Sequence, residues 1–196
     1  MKYSFIIVVL LFICGCNKNE SPTEGLNSSS GILPLKIGNK WIMNVTNYDS
    51  TGAVSSTSID TISIISDTTI NSEKWYYSDF WGLVTNRSDG LWISMFSDQF
   101  IFFKFPISAN DSYTTVMDIP VKVISVNIQV SVPSGLYTCY QYEMSLPDPI
   151  STTNSLYIDT YLAPGKGLIK YENYQKKPDG QMLLTSREEL KTLILN

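Results

Sequence analysis

Alternation of apolar and polar residues is the main pattern in this chain, and it is clearest in residues 121–132. Five branched apolar residues recur there at every second position: Ile124, Val126, Ile128, Val130 and Val132. A period of two residues places successive side chains on opposite faces of an extended strand. The segment is therefore predicted to be a β-strand with one buried face and one face in water.

Nine further β-rich runs follow the same kind of pattern, and Gly, Pro, Asp and Ser clusters typical of tight turns separate them. They cover residues 41–48, 58–66, 74–81, 91–96, 100–105, 136–144, 155–162, 168–174 and 181–187. Many short strands without a long helical period predict an all-β domain. We expect a curved antiparallel sheet or an open β-barrel of about ten strands.

The C-terminus allows a second interpretation. Ser186 and Glu189 have the spacing of a helix capping box, and Leu190 and Ile194 follow at helical spacing. The same segment also fits the end of a β-strand. Its position after ten strands favours the strand, with a short C-terminal helix as the alternative.

The N-terminus resembles a bacterial lipobox. Lys2 precedes an uncharged run over residues 3–14, and Ile13 and Gly15 stand at the third and first positions before Cys16. The run is shorter than the roughly 20 apolar residues that a spanning helix needs, so a cleaved signal fits better. The resemblance implies cleavage before Cys16 and acylation of that cysteine, which anchors the protein in a membrane.

Three parts of the chain follow from this interpretation. Residues 1–15 are the signal peptide, 16–31 are the lipidated cysteine and a flexible polar tether, and 32–196 are a single all-β domain. The tether would span roughly 20 Å as a flexible coil.

Cleavage leaves 13 basic and 18 acidic side chains. This acidic balance argues against a nucleic-acid partner, which would need clustered Lys and Arg.

Catalytic residue types are scarce. The chain has no histidine, which removes the commonest general base and zinc ligand. We therefore predict no cofactor, no metal site and no enzymatic activity. A carboxylate-based glycosidase is the remaining enzymatic alternative. Its candidate acids are those that lie among aromatic residues: Asp79, Asp98, Glu143 and Asp159.

Cys139 has no cysteine partner once Cys14 leaves with the signal peptide and Cys16 is acylated. It lies between Tyr137 and Tyr140 in an apolar strand pattern, without a cationic neighbour in sequence. We therefore expect a buried, slowly reacting thiol.

Aromatic residues are concentrated between residues 75 and 105. On one continuous strand, Trp75, Tyr77 and Trp81 would share a face and Tyr76 and Phe80 the other. Core packing explains such residues in a small barrel, and a surface for an apolar or glycan ligand is the alternative. The candidate ligand-binding residues are Trp75, Trp81, Trp92, Phe100 and Phe102.

Several stretches resemble those of a set of Gram-negative bacterial lipoproteins, some of them grouped as TapB-like. They are LPLKIGNKW at 33–41, NRSDGLW at 86–92, KFPISANDSY at 104–113, VPSGLYTCYQYE at 132–143 and YLAPGKGLIKYE at 161–172. The resemblance implies the same curved sheet or open barrel. Its motifs are turns and aromatic residues, so it carries over no functional residue and leaves the activity open.

We therefore expect a lipid-anchored envelope lipoprotein, in the outer membrane of a Gram-negative bacterium, with a non-catalytic binding or structural role. Two alternatives make different structural predictions. A carrier of lipid or another apolar ligand would contain a dry cavity lined by residues 96–105. A glycosidase would place two acids across an open cleft, about 5 to 10 Å apart.

Overall fold

A computed structural model describes residues 31–147 and 155–196, and these residues form twelve β-strands and one short 3-10 helix. The strands are β1 (Lys40–Tyr48), β2 (Val54–Ile70), β3 (Glu73–Ser78), β4 (Gly82–Arg87), β5 (Gly90–Met95), β6 (Asp98–Lys104), β7 (Ser112–Thr114), β8 (Pro120–Val132), β9 (Gly135–Pro147), β10 (Ser155–Ala163), β11 (Gly167–Lys176) and β12 (Met182–Ile194). The 3-10 helix is Val116–Asp118. Cys16 and the predicted signal peptide and tether, apart from Gly31, lie outside the described residues.

All twelve strands belong to one antiparallel sheet, in the order β6-β5-β4-β3-β2-β1-β12-β11-β10-β9-β8-β7. The sheet is a meander in which the first and last strands pair with each other at the centre. Its two edges, β6 and β7, are consecutive in the chain. The predicted all-β class and open, curved sheet are confirmed, and the strand interpretation of the C-terminus is correct because β12 runs through it. The alternative of a C-terminal helix is wrong.

The predicted face of β8 needs a correction. Val121 and Val123 are buried at odd positions, whereas Val130 and Val132 are buried at even positions. Register shifts in the pairing of β8 with β9, between residues 123 and 128, account for the change of parity. A β-bulge adds one residue to one strand and so reverses which positions face the core.

The sheet curls so that its two halves pack against each other. The ring of Phe103 in β6 lies 4.9 Å from that of Tyr142 in β9, and the ring of Phe105, just after β6, lies 5.2 Å from that of Tyr140 in β9. These residues belong to one buried apolar cluster on the concave side of the sheet. Burial of that apolar area is the main driving force for the curl.

Side-chain hydroxyls join the two edge regions where no backbone ladder does. Tyr113 donates a hydrogen bond of 3.0 Å to the carbonyl of Phe102 and accepts one of 3.2 Å from the amide of Lys104. Thr115 donates a bond of 2.7 Å to the carbonyl of Ile101. These bonds satisfy backbone groups of the edge strand β6 that would otherwise lack partners.

Cys139 lies in β9 and is fully buried, as predicted. Burial raises the pKa of its thiol to about 12.

Among the described residues, no helix has both the length and the apolar character needed to cross a membrane.

Candidate functional site

An apolar cavity of about 190 Å³ lies on the concave side, between the two halves of the sheet. One wall comes from the β3–β4 turn and from β6, and the other comes from β9, β10 and β11. The lining residues are Phe80, Trp81, Phe102, Phe103, Ile119, Met144, Leu146, Ile158, Thr160, Leu168 and Tyr171. Among the described lining residues, the polar side-chain groups are the hydroxyls of Thr160 and Tyr171 and the indole N–H of Trp81. A cavity of about 150 Å³ with a similar apolar lining holds a benzene-sized molecule.

A more polar cleft of about 360 Å³ adjoins this cavity. Ile158 lines both. The strand register explains the arrangement, because Ile158 pairs with Asn173, Asn173 pairs with Ser186, and Ser186 pairs with Asn47. Directly paired residues lie on the same face of a sheet. The concave face therefore changes from apolar to polar along this row, from β10 to β1.

The next row on the same face contains two buried polar groups without partners. Thr160 pairs with Tyr171, and Tyr171 pairs with Glu188. Thr160 is only 2 % exposed, and neither its hydroxyl oxygen nor Oε2 of Glu188 has a hydrogen-bond partner among the described residues. Burial raises the pKa of Glu188, and nearby Asp60 acts in the same direction.

The five predicted ligand-binding residues fall into three places. Trp81 and Phe102 line the cavity. Phe100 and Trp92 line a separate cleft of about 400 Å³ at the edge of the sheet, beside the 3-10 helix. Trp75 is fully buried and does not belong to the central apolar cluster. The structure therefore does not bring the five residues into one site.

The expectation that Trp75, Tyr77 and Trp81 share a face is wrong. Strand β3 ends at Ser78, and the turn that follows directs Trp81 into the core, where its ring lies 6.1 Å from that of Trp41. Trp75 points to the convex side. A strand-long alternation cannot continue through a turn, which resets the orientation of the chain.

On the convex side, Trp75 and Trp92 both contact Arg87. The guanidinium carbon lies 5.5 Å from the centre of the Trp75 ring and 4.3 Å from that of Trp92. Arg87 also makes a bidentate ion pair with Glu73, at 2.8 and 2.6 Å, and donates a bond of 2.6 Å to Gln99. The guanidinium thus occupies one face of the Trp92 ring and holds it in a polar network.

The four candidate acids do not lie in one place in the structure. Glu143 and Asp159 pair directly across β9 and β10, and Glu172 follows in β11. Exposed Asp79 accepts a hydrogen bond from the amide of Ser63, and exposed Asp98 begins β6. Neither the apolar cavity nor the adjoining cleft is lined by any of the four predicted acids.

Asp159 and Glu172 have opposite electrostatic environments on the convex side. Burial raises the pKa of Asp159 to about 6, although a hydrogen bond of 3.0 Å from Gln141 opposes the shift. Burial alone would also raise the pKa of Glu172, but contacts of 2.9 Å from Lys170 and 2.7 Å from Arg187 lower it overall. In the described part of the chain, no group of three His, Cys, Asp or Glu side chains is placed to hold a metal ion.

Sequence reasoning did not identify most of the cavity. Met144, Ile158, Leu168 and Tyr171 resemble ordinary core residues in an alternating strand, and Thr160 resembles a surface residue. The pairing of three strands brings them together. The one available signal was the aromatic cluster, since Trp81 and Phe102 come from it.

Comparison with known proteins supports the fold. No protein-family model matches the chain, and no curated protein matches it either. Two solved structures have a similar fold. One is a candidate lipoprotein from Parabacteroides distasonis, with a TM-score of 0.51 and 14% identity over 84% of this chain and 98% of that chain. The other is a candidate exported protein with a YmcC-like fold from Bacteroides fragilis, with a TM-score of 0.54 and 16% identity over 83% and 98% of the two chains.

At these identities the similarity is one of fold. Both matched structures are covered almost completely, so the described sheet corresponds to nearly all of each neighbour. The resemblance of the sequence motifs to TapB-like lipoproteins stays a prediction.

Proposed function

We propose that this protein is a lipid-anchored envelope protein that binds a small apolar group inside its sheet and performs no catalysis. The observation that carries the proposal is the apolar cavity of about 190 Å³ between β6 and β9–β11. The lipobox at Cys16 supports the anchor. The names of the two fold neighbours, a candidate lipoprotein and a candidate exported protein, are consistent with an envelope location.

A small fluorinated hydrocarbon tests the cavity directly. Fluorobenzene added to the purified full chain in an amphipathic polymer should show a shifted, broadened ¹⁹F resonance. Leu146→Phe fills the cavity with a larger side chain and should abolish the effect. Leu136→Phe is the matched control, because Leu136 lies outside the cavity and is 66% exposed. Equal spectra for the wild type and Leu146→Phe would overturn the proposal.

The anchor is tested separately at Cys16. Replacing Cys16 by Ser removes the thiol that the lipobox resemblance assigns to acylation, so the protein should lose acyl labelling and leave the membrane fraction. Separation of inner and outer membranes then tests the proposed outer-membrane location. Unchanged labelling and fractionation of the variant would contradict the anchor without affecting the cavity.

The absence of catalysis is the third part of the proposal. Glu143 and Asp159 are neighbours on one convex face, whereas the glycosidase alternative expects two acids across an open cleft. A panel of glycans should therefore show no turnover with the wild-type protein. Turnover that Asp159→Asn or Glu143→Gln abolishes would establish the enzymatic alternative instead.

A further inference from the structure

The cavity and the adjoining cleft form one amphipathic surface on the concave face. Ile158 belongs to both, and the row Ile158, Asn173, Ser186 and Asn47 leads from the apolar part into the polar part. Nδ2 of Asn173 donates a hydrogen bond of 2.7 Å to the Ser186 hydroxyl. Within the described part of the chain, the side-chain oxygen Oδ1 of Asn173 can then accept a hydrogen bond and the Ser186 hydroxyl can donate one. A molecule that fills the cavity can therefore extend a polar end towards this row.

A buried hydroxyl without a partner, that of Thr160, also indicates a ligand with a polar group. The residue lines the cavity and is only 2 % exposed, and its buried hydroxyl has no hydrogen-bond partner among the described residues. Leaving a buried hydroxyl without a hydrogen bond costs free energy, and a ligand oxygen would recover that cost. Directly paired Tyr171 and Tyr142 flank Thr160 in the sheet, so a ligand oxygen would have to approach from the cavity.

Charge restricts the polar end of the ligand. Among residues 31–147 and 155–196, no Asp, Glu, Lys or Arg lines the cavity or the adjoining cleft. The nearest acid in the paired rows is Glu188, beside Tyr171, and its Oε2 has no hydrogen-bond partner in the described part of the chain. Either sign of charge on the head group would be partly buried without an opposite charge among these lining residues, and an anionic head would also lie near the Glu188 carboxyl; both arrangements are unfavourable.

We propose, building on the apolar-ligand function above, that the ligand is a short-chain amphiphile with an uncharged, oxygen-bearing head, of the monoacylglycerol type. The chain occupies the apolar cavity. An ester or hydroxyl oxygen accepts a hydrogen bond from Thr160, and the remaining hydroxyls of the head contact Asn47, Asn173 and Ser186 in the cleft.

Three probes with the same chain and different heads test this ligand class. They are the glycerol ester of 6,6,6-trifluorohexanoic acid, the free acid, and the trimethylammonium compound with the same trifluorohexyl chain. Their ¹⁹F resonances are titrated against the purified full chain in amphipathic polymer. The same titration with Leu146→Phe, whose cavity is filled, measures how much of each probe enters the polymer. We expect the neutral ester to bind at least several-fold more tightly than either charged probe. Equal or tighter binding of a charged probe would overturn the proposal.

Thr160 is tested by two substitutions. Thr160→Val keeps the shape and removes the hydroxyl, so it should lower the ratio of ester affinity to fluorobenzene affinity by roughly three- to tenfold. Thr160→Ser should restore ester binding. An unchanged ratio of ester to fluorobenzene affinity in Thr160→Val would refute the role of the hydroxyl. If fluorobenzene fails to bind the wild type, the proposed apolar-ligand function is wrong as well. If fluorobenzene binds and the ester does not, only the proposed ligand class is wrong.

Discussion

The hydroxyl of Tyr142 in β9 donates a hydrogen bond of 2.7 Å to the backbone carbonyl of Lys104 in edge strand β6. The two residues are 38 positions apart in sequence and belong to opposite halves of the sheet. Tyr142 is fully buried, and burial raises the pKa of its hydroxyl well above the ordinary value. The hydroxyl therefore stays protonated and can donate throughout the physiological pH range.

Tyr142→Phe is expected to destabilise the fold by about 1 to 2 kcal/mol, because it leaves the Lys104 carbonyl without its partner. Chemical denaturation measures the change in the free energy of unfolding. Tyr77→Phe is the control, since Tyr77 is 45% exposed and should have little effect. Equal destabilisation by the two substitutions would show that the hydroxyl does not join the halves of the sheet.

Arg87→Lys should lower the free energy of unfolding by about 1 to 2 kcal/mol. Lysine keeps the charge but cannot reproduce the bidentate pair with Glu73 and the contacts with both Trp75 and Trp92. Acrylamide quenching of tryptophan fluorescence should increase as well, because the guanidinium no longer covers Trp92. The control is Lys74→Arg in the neighbouring strand, which retains a cation for Asp67. A null result for both readouts in Arg87→Lys would contradict the prediction.

Asp159→Asn should stabilise the protein at pH 7.5 and have little effect at pH 4. The folded-state pKa of Asp159, about 6, lies above the ordinary value of 3.8, so the folded protein loses stability as pH rises through this interval. We expect a gain of about 1 kcal/mol at pH 7.5, since solvent screens part of the shift. Asparagine can still accept the hydrogen bond from Gln141.

Thermal unfolding at the two pH values measures this difference, and Asp98→Asn serves as the exposed control. The control lies at an exposed position and should have little effect on stability. A gain from Asp159→Asn that is the same at pH 4 and pH 7.5 would mean that ionisation of Asp159 is not its cause.

Cys139 should react with a thiol reagent at least ~100-fold more slowly in the native protein than in denaturant, because it is buried and its thiol pKa is raised to about 12. Thr138→Cys offers a matched control, since position 138 is exposed on the same strand. The new thiol should be labelled rapidly without denaturant. Fast native labelling of Cys139 itself would contradict its buried position.

Much of the secondary structure was predictable because it depends on neighbouring residues. Alternation and turn chemistry located ten strands, and Asp89 lies in the tight turn between β4 and β5. Gly90 has a φ of 144°, and a Cβ atom there would lie 2.1 Å from the carbonyl oxygen of Phe103. Strands β4 and β7 were missed. Strand β7 is only three residues long, too short for a clear alternation, and in β4 the apolar residues Leu83 and Val84 are adjacent instead of alternating with polar ones.

The candidate site was predictable only in part. The sequence showed a cluster of aromatic residues, but it did not show which of them face the concave side of the sheet. Trp81 and Phe102 line the cavity, while Trp75 and Trp92 contact Arg87 on the opposite side. The turn after Ser78 and the register shift between Leu91 and Trp92 decide these orientations. Such irregularities reverse the face of every residue that follows, and a period of two residues cannot reveal them.

The sequence by itself determined the all-β class, most strand positions and the burial of Cys139, since these follow from local patterns of apolar residues and turns. Only the tertiary structure decided that β1 pairs with β12, that β6 approaches β9, and that Thr160 lies in an apolar cavity. The physical reason is that strand pairing is a contact between distant segments. The free energy of closing the sheet comes from apolar area that both halves bury together, and neither half alone specifies it.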